Sequence, residues 1–280
     1  MFKRHTTQGI LMALLLLPAL LLTGGCDDCD DTIVIVDNGP PSVPEGLYSV
    51  TGDTYCTLYW NENPEPDIAG YGIYWHDEEY GNYTRITNVP AGQTYYDIDF
   101  YALGYDNGTT LYFAVDAYDT DGNRSEDLSY ETVFDTPRPE GYDLVLYDYL
   151  GPSANLSGYD FSSVSGTARL YSDPATDVYF GTSNGVNLLY ASAGVDLQDY
   201  GYIDLIDVDW APSGGWSPTH QAEMIVGHSY LLRISDKIGG HNYAKIYVVN
   251  VTPSSVTLDW AYQEVVDLPE LSPTKGGVSQ

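Results

Sequence analysis

Three groups of side chains have the types and spacing to do chemistry. Gly181-Thr-Ser183-Asn-Gly185 has the Gly-x-Ser-x-Gly spacing of a nucleophile elbow, and His220, His228 and His241 follow it as candidate bases for a serine hydrolase. An elbow requires a strand, a sharp turn and then a helix, because the helix start helps to expose the serine. Here Val186-Asn-Leu-Leu-Tyr190 reads as a strand, so a hairpin turn through Asn184-Gly185 accounts for the same residues. The histidines could instead hold a metal ion or haem. If Ser235 faces His241 across a hairpin, His228 faces Val248, seven residues further along the ladder, or roughly 23 Å away. One ion cannot be shared over that distance. Asp119, Asp121 and Asn123 suggest calcium, but the segment lacks the Gly at position six and the Glu at position twelve of an EF-hand loop. Asp-Gly-Asn is also ordinary turn chemistry. The sequence therefore assigns no catalytic residue and no metal ligand. Its acidic surface leaves room for structural calcium without placing it.

Three cysteines remain, Cys26, Cys29 and Cys56, and their spacing fits no zinc site. Cys26 follows a leader with three parts. Met1 to His5 is basic, Ile10 to Leu22 is an apolar run broken only by Pro18, and Thr23-Gly24-Gly25 supplies small residues. That order is the order of a secretory signal peptide. As a helix the apolar run reaches roughly 20 Å, short of a hydrocarbon core about 30 Å thick. A permanent membrane span is therefore not expected. Leu22-Thr-Gly-Gly-Cys26 resembles the lipobox of bacterial lipoproteins, although Thr23 stands where that family most often has Leu. The resemblance implies cleavage after residue 25, a diacylglyceryl thioether on Cys26 and acylation of its new amine. In enteric members an Asp at the next position, here Asp27, holds the protein at the inner membrane. Cys56 shares strand parity with Leu58 and Trp60 and is expected as a core thiol, with a disulfide to Cys29 as the alternative.

All 40 acidic residues lie beyond Cys26, where only eight of the ten basic residues remain. Such a chain repels nucleic acid, whose phosphates require basic partners. Divalent cations, basic partners and uncharged polymers stay open as ligands, beside simple solubility. The 27 tyrosines are the one unusual abundance. Each offers apolar area with a hydroxyl, which suits sugar or protein contact and equally suits half-buried strand faces.

These groups must be positioned by strands. Residues 26–40 form an acidic tether carrying the Ile33-Val-Ile-Val36 patch. Between residues 41 and 137, seven β-prone runs alternate with turn signals such as Asn63-Pro64, Gly81-Asn82, Asn107-Gly108 and Asp121-Gly122-Asn123. They begin near Leu47, Tyr55, Ile68, Tyr83, Thr94, Thr110 and Leu128. Seven such runs in roughly 100 residues fit a β-sandwich.

Pro41-Ser-Val-Pro44, Trp60, Asp67-Ile-Ala-Gly-Tyr-Gly-Ile-Tyr74 and Tyr112-Phe-Ala-Val-Asp-Ala-Tyr-Asp119, followed by Thr-Asp-Gly-Asn-Arg-Ser-Glu126, resemble the fibronectin type III domains of exported bacterial proteins. The resemblance implies an immunoglobulin-like sandwich with Trp60 as its central core aromatic. It also implies Tyr112 as a corner tyrosine bonded back to the backbone, although the loop from Leu103 to Thr110 is longer than usual. No Arg-Gly-Asp occurs, so integrin binding does not carry over.

Thr136-Pro-Arg-Pro139 reads as a stiff linker, and residues 140–268 as a second all-β domain. Its expected strands include Leu144 to Tyr147, Thr167 to Tyr171, Val178 to Phe180, Val186 to Tyr190, Tyr202 to Val208, Ala222 to Val226, Tyr230 to Ile234, Tyr243 to Val251 and Val256 to Tyr262. Gly158 to Ser162, Asp177 to Phe180, His241 to Ile246 and Trp260 to Gln263 are faintly similar to all-β domains of bacterial surface lipoproteins near the HmuY-like haem-binding group. No haem ligand carries over. Residues 269–280, polar and rich in Gly, Pro and Ser, read as a flexible tail.

The expected whole is an all-β, lipid-anchored protein of the bacterial envelope, facing periplasm or exterior. Its expected role is a non-enzymatic binding, adhesion or spacer module with a protein or carbohydrate ligand. An accessory part of polysaccharide or nutrient uptake, including haem, is the alternative.

Overall fold

A computed structural model describes residues 39–163, 166–235 and 239–272. The leader, Cys26, Cys29 and most of the tether lie outside the described residues.

The first seven strands are β1 (Tyr48–Thr51), β2 (Tyr55–Tyr59), β3 (Ile68–His76), β4 (Thr84–Pro90), β5 (Tyr95–Asp99), β6 (Leu111–Asp119) and β7 (Val133–Asp135). They form a three-stranded sheet, β1-β2-β5, and a four-stranded sheet, β4-β3-β6-β7, in which all neighbours are antiparallel. That strand order is the order of a fibronectin type III sandwich. Strand alternation sends Cys56, Leu58 and Trp60 into the core, where Trp60 meets Tyr71 edge-on at 5.4 Å between ring centres. The Tyr71 hydroxyl accepts the Asn63 backbone N–H at 2.8 Å and so fixes the turn between β2 and β3. Cys56 is a free thiol buried in this core, and burial raises its pKa well above the ordinary value.

Ser125 and Ser129 extend the edge beside β6 without regular pairing. Their backbone N–H groups donate to the Ala117 and Val115 carbonyls, and their hydroxyls accept the N–H groups of the same two residues. Tyr112 does not occupy a core corner. The two-residue period of β6 buries Leu111 and Phe113, so Tyr112 lies on the outer face, half-buried against Phe134. The long loop before β6 holds a helical turn, α1 (Phe100–Leu103), whose start is capped by the Asp99 carboxylate and which ends at Gly104 with φ 91°. Phe100 in this turn fills the first core.

The second domain is also a sandwich. Its strands are β8 (Glu140–Tyr147), β9 (Gly158–Tyr159), β10 (Val178–Ser183), β11 (Val186–Ala191), β12 (Val195–Tyr202), β13 (Gln221–Glu223), β14 (His228–Ser235), β15 (His241–Thr252) and β16 (Ser255–Gln263). One sheet runs β13-β11-β10-β9, and the other β12-β14-β15-β16-β8. Between them Trp260 packs against Tyr159 and Phe161, with Phe180, Leu189, Leu232, Ile246 and Leu258 around it.

Three expectations for this domain differ from the structure. Thr167 to Tyr171 is not a strand; its one backbone pairing to the sheet is the bridge from Arg169 to Gly158. Tyr202 to Val208 is not one either. The strand ends at Tyr202, and Leu205–Asp207 forms a 3₁₀ turn. The segment that follows lies across the outer face of the five-stranded sheet, where Val208 and Leu271 cover Leu231. The tail expected from residue 269 is packed over its described part, because Leu271 fills that cluster and its N–H bonds to the Asp209 carbonyl at 2.6 Å. Burying an apolar side chain of this size contributes about 1.5–3 kcal/mol toward ordering the segment.

The connector, expected as a stiff linker, is a buried joint. Thr136 and Arg138 are almost fully enclosed. The Arg138 backbone N–H bonds to the Gly52 carbonyl in the first sandwich, and the Pro139 carbonyl accepts the Tyr262 N–H from the second.

Candidate functional site

The outer face of the β13-β11-β10-β9 sheet carries the densest aromatic group among the described residues. Its register starts at the turn. Asn184 and Gly185 both have positive φ, 51° and 80°, as a two-residue hairpin requires. Ser183 then pairs with Val186, and further along the same ladder Tyr179 pairs with Tyr190. The two rings stack with centres 5.0 Å apart and planes 11° from parallel. Val178 and Phe180 alternate with Tyr179 and point into the core.

Two loops add to this pair. Tyr149 follows β8, and its N–H bonds to the Phe180 carbonyl at 3.0 Å. Its ring lies in the space that Gly181 leaves open, since a Cβ on Gly181 would collide with Tyr149. There it meets Tyr179 at 5.4 Å and Tyr190 at 5.9 Å, edge-on to both. Tyr171 closes the group, 5.1 Å from Tyr149 and 5.6 Å from Tyr179, and is 36% exposed. Burial, then the neighbouring tyrosines, raise the Tyr179 and Tyr190 hydroxyls above their ordinary pKa. The group therefore presents neutral phenols, apolar at the ring and able to donate or accept hydrogen bonds at the tip. Gly181→Ala is expected to displace Tyr149 and to cost about 1–3 kcal/mol, measured by urea denaturation.

The residues singled out in the sequence fall elsewhere. Ser183 is exposed on the hairpin, next to the turn and followed by β11 rather than a helix. His228 and His241 lie at opposite ends of the β14–β15 hairpin, in the register expected from its turn, with Ser235 opposite His241. The His228 Nδ1 is 2.9 Å from Asp199, whereas His241 lies 3.7 Å from Asp267. His220 Nδ1 contacts the Val195 carbonyl at 3.1 Å. These three histidines are not brought together. Asp119 closes its own turn, accepting the N–H groups of Asp121 and Asn123 at 3.0 and 2.8 Å and the Asn123 side-chain amide at 2.8 Å. Burial opposes ionisation there, but these bonds outweigh it and lower the pKa. No group of three or more His, Cys, Asp or Glu residues suited to a metal occurs among the described residues.

Sequence reasoning does not reach the tyrosine group as a whole. The Asn184-Gly185 turn alone implies the pairing of Tyr179 with Tyr190, but Tyr149 and Tyr171 arrive through loops whose paths depend on tertiary packing.

No family model matches the chain, and no curated protein matches it. Among solved structures, an Fn3-like protein from Clostridium thermocellum is 26% identical over 34% of this chain and 92% of its own, with a TM-score of 0.29. The Clostridium perfringens spore cortex lytic enzyme SleM is 24% identical over 34% of this chain, with a TM-score of 0.30, and the match spans only 29% of that enzyme. A DUF4466 family protein from Parabacteroides merdae is 11% identical over 83% of this chain and 96% of its own, with a TM-score of 0.37.

Proposed function

We propose that this chain is a non-enzymatic binding module of the bacterial envelope, held at a membrane by lipid on Cys26. In this reading the fibronectin-like sandwich is a spacer, and the tyrosine face of the second sandwich contacts an uncharged polysaccharide. The observation that carries the reading is the convergence of Tyr149, Tyr171, Tyr179 and Tyr190 on one outer sheet face. Phenol rings offer apolar edges and faces to sugar C–H groups, and their hydroxyls match sugar hydroxyls. The charge balance favours a neutral polymer, because an acidic chain repels anionic ones.

Affinity electrophoresis of the full chain in gels containing neutral glucans, xylans or mannans tests this. At least one polymer is expected to retard the wild type. Tyr171→Ala and Tyr190→Ala are expected to weaken that retardation by about tenfold, in line with the loss of an aromatic anchor. Tyr101→Ala, a change at a 75% exposed tyrosine of the first sandwich, serves as the control and is expected to leave it unchanged. Equal retardation of all four proteins, or none with any polymer, would overturn the reading. Retention on a protein ligand instead would reassign the surface.

A further inference from the structure

Four charged side chains are buried where the two sandwiches meet. They are Asp135 at the end of β7, Arg138 in the connector, Lys245 on β15 and Glu270 in the C-terminal segment, none more than 4% exposed. Both cations reach oxygen, Arg138 through Nη2 alone, since its Nε and Nη1 have no partner among the described residues. The Ser272 hydroxyl lies 3.0 Å from Lys245 Nζ and 3.3 Å from Arg138 Nη2, and Lys245 also donates to the Val208 carbonyl at 3.0 Å. Glu270 lines a narrow cleft with Thr51 of the first sandwich and Thr136 of the connector on one side and Gln263, Leu271 and Ser272 on the other. Its backbone carbonyl accepts the Gln263 side-chain amide at 3.1 Å. Glu140 and Tyr142 of β8, together with Asp207 and Asp209 of the segment after β12, complete the charged surroundings, and Cys56 lies near Asp135. An ionised carboxylate enclosed in this way is strongly disfavoured unless it is fully paired.

We propose that this joint is a proton-controlled coupling: with Glu270 neutral the two sandwiches dock as one body, and with Glu270 ionised they uncouple. The proposal does not depend on what the tyrosine face binds.

Burial, reinforced by Asp135 and Asp209 and opposed by Arg138, pushes Glu270 up to about 8. A carboxyl whose pKa is raised in the docked state binds its proton more tightly there. Its contribution to docking is complete below the ordinary value of 4.5 and is lost as pH rises to about 8. Asp135, raised by burial to about 6 against Ser49, Thr51 and Arg138, acts in the same direction over a narrower window. Lys245 acts in the opposite direction, because burial lowers its pKa and docking gains as it deprotonates. The difference between wild type and Glu270→Gln therefore isolates Glu270.

Scanning calorimetry of the intact chain at pH 5.5 and 8.5 reads this difference. At pH 5.5 both proteins are expected to unfold in one transition. At pH 8.5 the wild type is expected to show two transitions, or one about 5 °C below that of Glu270→Gln. The same difference between the proteins at both pH values would overturn the proposal. Should Glu270→Gln fail to fold, hydrogen exchange in the wild type gives a second readout at the Arg138 and Tyr262 amides, which tie the connector to the first and to the second sandwich respectively. Their protection, corrected for intrinsic exchange, is expected to fall at least tenfold from pH 5.5 to 8.5. Constant protection would contradict the coupling.

Discussion

Trp260→Ala is expected to destabilise the second sandwich by about 3–5 kcal/mol, the range for truncating a buried aromatic in a well-packed core. The indole is 3% exposed and meets Tyr159 at 5.3 Å and Phe161 at 5.7 Å. It also covers Gly141, where a Cβ would collide with the ring, so the neighbouring strand cannot easily collapse into the space left behind. Urea denaturation should show a lower midpoint. Trp60→Ala should act in the same way on the first sandwich, because Trp60 is nearly as enclosed there. A loss below about 1 kcal/mol for Trp260→Ala would mean that this core relaxes around the cavity, against the packing described.

Cys26→Ser is expected to move the protein from the membrane fraction to the soluble fraction. A serine cannot form the thioether, so no acyl chain reaches the bilayer. Each buried methylene contributes about 0.8 kcal/mol, and two or three chains hold a protein where a single chain binds only reversibly. None of the described helices is long and apolar enough to cross a membrane in place of the lipid. Fractionation of cells expressing wild type and Cys26→Ser checks this. Equal membrane association of both would contradict the anchor, and Asp27→Ser in the same assay would test sorting between membranes.

The first sandwich is legible in the sequence because its strands are short, strongly alternating and separated by Asn-Gly, Gly-Asn and Asp-Gly turns. All seven expected runs coincide with strands, although β7 is shorter than the run from Leu128, since Ser125 and Ser129 replace part of the ladder with side-chain bonds. The second sandwich is harder to read where apolar residues serve a surface other than the main core. Val208 and Leu271 pack on the outside of a sheet, so they follow no two-residue period with their neighbours. β12 escapes a reading by periodicity because its alternation of Val195 and Leu197 with Asp196 and Gln198 lasts only four residues before the register shift between Asp199 and Gly201. Of the tyrosine face, only the Tyr179–Tyr190 pair follows from local turn chemistry. The buried joint leaves no local signal, because Arg138 and Glu270 resemble ordinary surface charges until the two domains are brought together.

The anchor can be tested most directly by mass spectrometry of the protein extracted from membranes with detergent. The expected species is a mature chain beginning at Cys26, with a diacylglyceryl group on sulfur. A chain that retains residues 1–25, or one with an unmodified Cys26 thiol, would contradict it.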